Sequence, residues 1–144
     1  MESFVLYKVN RYDVKGKQNL KSLEKYYIVD VGLRRLIFGD KNADIGHILE
    51  NIVYLELIRR GYKAHIGKVE DLEIDFIATN GKDRIYYQVA ASVLDPLTYA
   101  REIVPLKKIN DNYPKYIIST DEISMHEDGI IQINIIDFLL QEIR

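Results

Sequence analysis

The sequence predicts one α/β domain in which a mixed (α+β) sheet carries helices on its faces. Three observations predict this class. The 144 residues are enough for one compact domain and too few for two. Short segments rich in β-branched and aromatic residues alternate with segments whose apolar residues recur at helical spacing. Finally, Asn80-Gly81 marks a tight hairpin between two of the predicted strands.

The first 41 residues are predicted to be a small N-terminal extension, the remnant of a longer domain. Phe4 to Val9 alternates like a strand, and a polar stretch at 16–19 indicates a hairpin or loop. Tyr26 to Val29 is predicted to be a second short strand, and Val31 to Phe38 a short helix. Elements this small are not expected to form a core by themselves.

Residues 42–144 are predicted to form the core domain. Asp44 is a plausible N-cap for a helix that ends at Gly61. The later elements, in chain order, are strands at Tyr62–Ile66, Glu73–Thr79 and Arg84–Ser92, a helix at Leu97–Asn110 that Pro105 should kink or shorten, strands at Lys115–Ser119 and Ile130–Asn134, and a helix at Ile135–Ile143. This order, αβββαββα, predicts a mixed sheet with helices on its faces.

The composition excludes several classes of protein. Without cysteine there is no disulfide framework, no thiolate nucleophile and no zinc site with Cys ligands. No apolar stretch approaches the ~18 residues of a membrane span, and the first residues do not resemble a signal peptide, so we expect a soluble, cytoplasmic protein with no membrane partner. The chain contains no GxxxxGK phosphate loop, so any ATPase module must lie outside it.

The net charge of −2 conceals an uneven distribution. Residues 1–41 carry nine Lys and Arg against five Asp and Glu, whereas residues 121–144 carry one against six. A basic segment is either a solvated surface or a contact for a nucleic-acid backbone. If the chain binds nucleic acid, the expected contacts are the basic residues of this first segment: Lys8, Arg11, Lys15, Lys17 and Lys21.

The two strands on either side of Asn80-Gly81 carry the candidate site. Asp75 interrupts an apolar strand, in which Ile74 and Phe76 are predicted to face the opposite way. On the next strand Gln88 shares a face with Ala90, and the hairpin is expected to bring it close to Asp75. A carboxylate followed thirteen residues later by a polar residue is the spacing of a strand-borne Mg²⁺ site. The alternative is an ordinary solvent-facing aspartate.

The preceding helix adds two acidic residues. Glu56 falls in the apolar arc of the helix, so it is either buried with a partner such as an arginine or directed toward a site. Glu50 lies at the edge of that arc and could reach across the sheet. The alternative for both is pairing with Arg59 and Arg60 on the helix surface.

Several motifs together resemble a known family. They are residues 25–34, KYYIVDVGLR; 46–57, GHILENIVYLEL; 59–62, RRGY; 73–76, EIDF; 87–90, YQVA; and Arg101-Glu102. The chain resembles the C-terminal domain of unknown function that follows the ATPase module of bacterial and archaeal AAA-type ATP-binding proteins. That domain is related to the PD-(D/E)XK, or restriction-endonuclease-like, superfamily. The resemblance implies an αβββαβ core, and it implies that the chain is a C-terminal piece of a longer protein.

The resemblance also implies roles for four positions. Glu50 matches the acid of the first helix and Asp75 the central metal-binding aspartate, while Gln88 stands at the acid of the (D/E)XK tripeptide and Ala90 at its lysine. The implied catalytic residues are therefore Glu50, Asp75 and Gln88, and the implied Mg²⁺ ligands are Asp75 and Glu50. The lysine orients the attacking water and stabilises charge on the phosphate in that superfamily. Lys82 or Arg84 is the expected substitute, if there is one.

Three functions follow from these expectations. The first is a degenerate nuclease-like module that binds nucleic acid, DNA foremost, or a protein partner, normally in the same polypeptide as an ATPase module. The second is an active Mg²⁺-dependent DNA endonuclease. The third is a structural domain that serves protein interaction alone.

Overall fold

The structure of the chain is a computed structural model that describes residues 6–30 and 45–141, apart from the side chains of 21–23. The predicted helix at Val31 to Phe38 lies outside these residues. The strands are β1 (Leu6–Asp13), β2 (Gln18–Ile28), β3 (Lys63–Val69), β4 (Leu72–Asn80), β5 (Asp83–Val89), β6 (Lys115–Ser119), β7 (His126–Glu127) and β8 (Ile130–Asn134), and the helices are α1 (Ile45–Arg59), α2 (Pro96–Lys107) and α3 (Ile135–Leu140).

The described strands form one sheet in the order β2-β1-β3-β4-β5-β6-β8-β7. The hairpins β1–β2, β3–β4, β4–β5 and β7–β8 are antiparallel, whereas β1 runs parallel to β3, β5 to β6 and β6 to β8. The sheet is therefore mixed, and the predicted α/β class is confirmed. Within the described part of the chain, no helix is both long and apolar enough to cross a membrane.

Two apolar clusters cover the two faces of the sheet. Side chains of α1 and α3, including Leu57 and Phe138, pack with Phe76 and Tyr87 on one face. On the other face, Leu106 of α2 packs with Ile74, Ile77 and Tyr86. The helices thus lie on both faces, as the sequence predicts. Helix α2 begins after the N-cap Asp95 and ends at Lys107, three residues before the predicted end, which agrees with the expectation that Pro105 shortens it.

Residues 6–28, the part of the basic N-terminal segment that contains β1 and β2, form a long hairpin that joins the main sheet. Strand β1 pairs with β3 at Arg11–Ile66 to Asp13–Lys68, and Val9 and Tyr27 are buried in the core. At the end of β2, the Asn51 side chain of α1 accepts a hydrogen bond from the Ile28 N–H (2.9 Å) and donates one to the Ile28 carbonyl (2.8 Å). These bonds fix the hairpin against α1.

Strand β4 departs from the predicted alternation. Pairing moves from His65–Ile77 to Gly67–Ile74, two steps along β3 but three along β4, so β4 contains one extra residue between Ile74 and Ile77. Ile74 and Ile77 consequently pack on the same face, while Phe76 packs on the opposite face. The prediction that Ile74 and Phe76 share a face is wrong, because a β-bulge resets the alternation next to Asp75.

Glu56 belongs to the structural framework. Its carboxylate accepts hydrogen bonds from Arg59 (2.8 and 2.5 Å) and from Arg60 (2.9 Å). Arg60 also lies over the Phe138 ring and donates to the Phe138 carbonyl, which connects α1 to α3. Of the two alternatives for Glu56, the arginine-paired one is confirmed.

Candidate functional site

An acidic cleft opens where β4 begins and β5 ends. Its volume is about 340 Å³. Helix α1 forms one wall, and the first turns of α2 form the other. The cleft is lined by Gly46, His47, Glu50, Asp75, Val89, Ala90, Ala91, Ser92, Thr98, Arg101 and Glu102. The structure therefore brings together Glu50 and Asp75, the two acids that the sequence selected.

Asp75 takes the place of a backbone group at the end of the β4–β5 ladder. Regular pairing stops at Phe76–Tyr87, and beyond it the Asp75 Oδ2 atom accepts a hydrogen bond of 2.7 Å from the Val89 N–H. Burial and the nearby Glu50 raise the pKa of Asp75 well above its usual value, against the opposing effects of the Val89 N–H and Lys25. Asp75 is thus a carboxylate held where its negative charge is poorly solvated.

Gln88 supports the cleft from behind and does not line it. Its side chain is 3% exposed, and its Oε1 atom accepts a 2.8 Å hydrogen bond from the Asp75 N–H. Its amide nitrogen makes two longer contacts of 3.4 Å with the carbonyls of Glu73 and Glu102. The predicted closeness of Gln88 and Asp75 is confirmed, but the Gln88 oxygen is directed to a backbone donor. Its role as a catalytic group or ligand stays a prediction.

Glu50 is buried and connects α1 to β2. Its Oε1 atom accepts hydrogen bonds from the Tyr27 hydroxyl and from the Lys25 ammonium, the latter at 3.3 Å. Its Oε2 atom lies 3.8 Å from His47 Nδ1. Burial and the Glu50 carboxylate together raise the pKa of Tyr27, so this hydroxyl stays a donor to Glu50.

Lys25 places a positive charge beside the cleft. It contacts Glu50 and Glu73, and Glu73 is also paired with Arg11 at 2.9 Å. Burial lowers the pKa of Lys25, but the attraction of Glu50, Glu73 and Asp75 outweighs it, so the pKa is raised overall. Lys25 therefore remains an ammonium in this largely enclosed position.

A third carboxylate enters the cleft from α2. Burial raises the pKa of Glu102, Arg101 opposes this effect at 3.5 Å, and Glu50 adds to it. Glu50, Asp75 and Glu102 thus repel one another across the same space. Lys25 and Arg101 compensate part of that negative charge.

Ala90 lines the cleft with a methyl group, at the position where the resemblance implies a lysine. Neither basic residue expected to replace that lysine is a lining residue of the cleft. Arg84 lines a different pocket at the far end of α2, and Lys82 is exposed in the β4–β5 turn. Lys25 does not line the cleft either, but its ammonium lies 3.3 Å from the lining residue Glu50.

The donor set of the cleft suits a weakly coordinated hard cation. Within residues 6–30 and 45–141, no group of three or more His, Asp or Glu side chains is arranged to hold a metal ion. Glu50 and Asp75 nevertheless present two carboxylates to one space. Mg²⁺ is commonly held by one or two carboxylates, with water and phosphate oxygens completing the shell. The residues thus fit Mg²⁺ only if the substrate and water provide most ligands.

The basic residues predicted to bind nucleic acid lie along the β1–β2 hairpin. Lys8 pairs with Glu24 (2.7 Å), and Arg11 and Lys15 also have acidic partners. Lys17 is exposed in the turn, and the side chain of Lys21 is outside the described residues. Most of these charges are therefore balanced locally, and their contact with nucleic acid stays a prediction.

Comparison with known proteins gives one informative relative. A protein of Haemophilus influenzae, described as an uncharacterized protein, is 44% identical to this chain over 140 residues. The similarity covers 96% of this chain but 34% of the Haemophilus protein, so the chain spans about one third of that relative's length. No family model and no solved structure matches the chain. The described fold and cleft therefore stand on their own geometry.

Sequence reasoning gave no site role to Glu102, which lines the cleft, or to Lys25 and Tyr27, which bind Glu50 beside it. Lys25 and Tyr27 occur two apart on a strand, which puts them on the same side, but nothing in the local pattern indicates which helix they meet. Glu102 is an acid in the helix that crosses over the sheet. The sequence shows only an acid next to the apolar Ile103, which the structure buries. That Glu102 faces the cleft follows from the position of α2 relative to β5, which the sequence does not give.

Proposed function

We propose that this chain is a nuclease-like module of the restriction-endonuclease-like class that has become degenerate, and that it binds nucleic acid or a protein partner. One observation carries the proposal. The cleft retains the acids Glu50 and Asp75, but at the tripeptide positions it has the methyl group of Ala90 and a Gln88 whose oxygen bonds to backbone. Without a basic group to orient the attacking water and balance charge on the phosphate, the cleft is poorly equipped to hydrolyse a phosphodiester. Binding of nucleic acid or of a protein partner is then the function that remains.

The architecture supports this class through the order of its elements. Helix α1, strands β3 to β5, helix α2 and strand β6 follow one another as αβββαβ. The first-helix acid and the strand aspartate meet beside the end of β5, where the superfamily resemblance implies its site. A shared fold permits many functions, so the site chemistry rather than the fold carries the functional proposal.

An ATPase module in the same polypeptide is the expected partner. About two thirds of the Haemophilus protein lies outside the segment similar to this chain. That length would accommodate an additional module. The proposed arrangement is tested by purifying the longer Haemophilus protein and measuring whether ATP hydrolysis changes when its segment equivalent to this chain is deleted.

A second candidate, an active Mg²⁺-dependent DNA endonuclease, is favoured by Lys25. Its ammonium contacts Glu50 and is attracted to Asp75, so a cation from β2 lies beside the two acids of the cleft, whereas Ala90 provides none. In this reaction Glu50 and Asp75 would hold Mg²⁺, which would polarise the phosphate and lower the pKa of a bound water. Lys25 would orient the water and balance charge on the phosphate. Gln88 would position Asp75 through its backbone N–H.

The decisive experiment combines metal and nucleic-acid measurements. Calorimetry with Mg²⁺ and Mn²⁺ is performed on the wild type, on Asp75→Asn and on a control, Asp83→Asn, whose side chain is exposed at the start of β5. Duplex DNA and single-stranded RNA are then tested for salt-sensitive binding and for cleavage. Binding without cleavage supports the degenerate module. Cleavage that disappears in Asp75→Asn and Lys25→Met but persists in Asp83→Asn supports the endonuclease and overturns degeneracy.

Two other results are informative. Cleavage that is unchanged in Asp75→Asn would come from a contaminating nuclease and would refute the endonuclease candidate. Absence of salt-sensitive binding to both nucleic acids would refute nucleic-acid binding and leave the protein partner. Binding and cleavage are measured on the same preparation of each variant. The thermal unfolding of that preparation is compared with the wild type, which detects a folding defect.

A further inference from the structure

A second pocket lies at the opposite end of α2 from the acidic cleft. It has a volume of about 310 Å³. Its cationic lining comes from three parts of the chain that are distant in sequence: the turn after β1, the start of β5, and the end of α2. These residues are Lys15, Lys17, Arg84 and Lys108. Four cations that converge from separate elements form a stronger positive field than a run of neighbours on one strand.

Arg84 is the central group of this pocket. Its guanidinium lies over the ring of Tyr12 at 5.3 Å and near that of Tyr113 at 5.7 Å, and its contact with the Tyr86 hydroxyl is long, 3.5 Å. No carboxylate is paired with it among the described residues. A planar guanidinium positioned by aromatic rings but not neutralised by an acid keeps N–H donors for a bidentate acceptor such as phosphate.

Glu70 positions two of the lysines. Its carboxylate bridges Lys15 (2.5 Å) and Lys108 (2.6 Å). These hydrogen bonds lower the pKa of Glu70 to about 2, and the bond to Lys108 has the larger effect. The bridge holds two ammonium groups close together with one positive charge in excess. Glu70 also prevents the lysines from repelling each other in the unliganded protein.

The remaining acid of the pocket is already satisfied. Asp111 accepts hydrogen bonds from the Tyr86 hydroxyl (2.6 Å) and from Lys115 (3.0 Å). The pocket therefore keeps an excess of positive charge in spite of its two acids. Beside it, Tyr113 leaves 42% of its surface exposed, and an exposed aromatic ring next to an arginine is the combination on which nucleobases stack.

From these contacts, we infer that the pocket lined by Lys15, Arg84 and Lys108 binds a backbone phosphate of a nucleic-acid strand, with a neighbouring base on Tyr113. The phosphate site stands on its own geometry, whereas the identification of the ligand as nucleic acid rests on the function proposed above. Of the basic residues predicted from the sequence, Lys15 and Lys17 belong to this pocket.

The two pockets lie on one route along the molecule. Helix α2 has 12 residues, with Arg101 and Glu102 at the acidic cleft and Lys108 just beyond its other end. The cleft residue Glu102 and the pocket residue Lys108 are six positions apart, which at ~1.5 Å per residue is about 9 Å. At ~3.4 Å per nucleotide of a B-form strand, this distance corresponds to about three nucleotides. A strand held at the basic pocket would thus reach the acidic cleft about three nucleotides away.

The test is fluorescence anisotropy with a labelled single strand of about 12 nucleotides and the matching duplex. Binding is measured over a range of salt concentrations from about 50 to about 200 mM. The variants are Arg84→Gln and Lys108→Gln. The matched control is Lys82→Gln, which removes an exposed charge from the same hairpin as Arg84 but outside the pocket. Asp75→Asn tests the acidic cleft separately. Inorganic phosphate and pyrophosphate are added as competitors.

We expect Arg84→Gln to weaken binding about tenfold and to reduce the slope of log affinity against log salt by ~0.9, with Lys82→Gln near the wild type. Equal losses in Lys82→Gln and Arg84→Gln would overturn the pocket, because net charge alone would then explain binding. Inorganic phosphate binding that depends on Arg84, without any oligonucleotide binding, would keep the phosphate site and overturn the nucleic-acid ligand. Wild-type oligonucleotide binding that Arg84→Gln leaves intact would refute the pocket while the proposed function survives.

Discussion

Replacing Gln88 by alanine should destabilise the protein without removing a ligand from the cleft. The Gln88 side chain is 3% exposed, and its oxygen is the acceptor for the Asp75 N–H at 2.8 Å. In Gln88→Ala this backbone donor loses its partner at the point where the β4–β5 ladder ends. If Gln88 were mainly a metal ligand, the same substitution would weaken cation binding and change stability little.

The size of the effect follows from the contacts. A buried N–H left without an acceptor costs about 1–3 kcal/mol. The side-chain carbon that is removed contributes about 1 kcal/mol more. The two contacts of 3.4 Å are long and add little. We therefore expect a loss of about 2–4 kcal/mol in the free energy of unfolding, which lowers the Tm of a chain of this size by roughly 6–15 °C.

Urea denaturation at pH 7 measures this loss, and Gln88→Glu is the matched variant. Glutamate retains an acceptor for the Asp75 N–H but adds a negative charge near Asp75 and Glu102. Its destabilisation should diminish as pH falls toward about 4, whereas that of alanine should not. A loss below about 0.5 kcal/mol in Gln88→Ala, together with weaker Mg²⁺ binding, would show that Gln88 is a ligand and that its structural role is wrong.

Three other substitutions test the geometry of the site. Asp75→Asn should gain stability relative to the wild type as pH rises from about 4, because the raised pKa of Asp75 means that the folded wild type loses stability while this group ionises; urea denaturation between pH 4 and 8 measures it. Tyr27→Phe should cost about 1.5–3 kcal/mol, since Glu50 loses its buried hydroxyl donor, also by urea denaturation. Gly67→Ala should cost about 1–3 kcal/mol in thermal unfolding, because the new methyl group would lie 2.7 Å from Ile74 Cβ opposite the bulge.

Each of these predictions has a clear contradiction. Parallel stability curves for Asp75→Asn and the wild type would mean that Asp75 titrates normally. An unchanged Tyr27→Phe would mean that Glu50 is sufficiently held by Lys25. For Gly67→Ala the control is Gly16→Ala, where the added methyl group meets only movable side-chain ends, those of Asp13 and Gln18. Equal effects in the two variants would show that the bulge does not restrict Gly67.

The fold class could be predicted because the sheet and helices are written in local patterns. The Asn80-Gly81 turn and the helical spacing from Ile45 to Arg59 each depend on neighbours in sequence. The bulge in β4 could not be predicted in this way. It is defined by how β4 pairs with β3, and a strand sequence contains no signal for the register of its partner.

Some residues of the candidate site could be predicted from local sequence, and others depend on contacts between distant parts of the chain. Asp75 was identifiable because aspartate is unfavourable in an apolar strand, and Glu50 because of its position on the first helix. Lys25 and Tyr27 meet Glu50 through tertiary contacts of the hairpin, among them the bond from the Ile28 N–H to Asn51, which joins residues 23 positions apart. Gln88 was predicted as a group of the site, but its oxygen accepts a hydrogen bond from the Asp75 N–H. This contact depends on where the β4–β5 ladder stops, which the sequence does not show.

The hydrogen bonds between Asn51 and Ile28 have a consequence for how this protein can be divided. They fix the hairpin whose Lys25 and Tyr27 complete the shell of Glu50. A shortened chain that starts at residue 42 would contain every acid of the cleft but would leave Glu50 without these two donors. A fragment or fusion designed to keep the cleft as it is in this structure therefore has to include the hairpin.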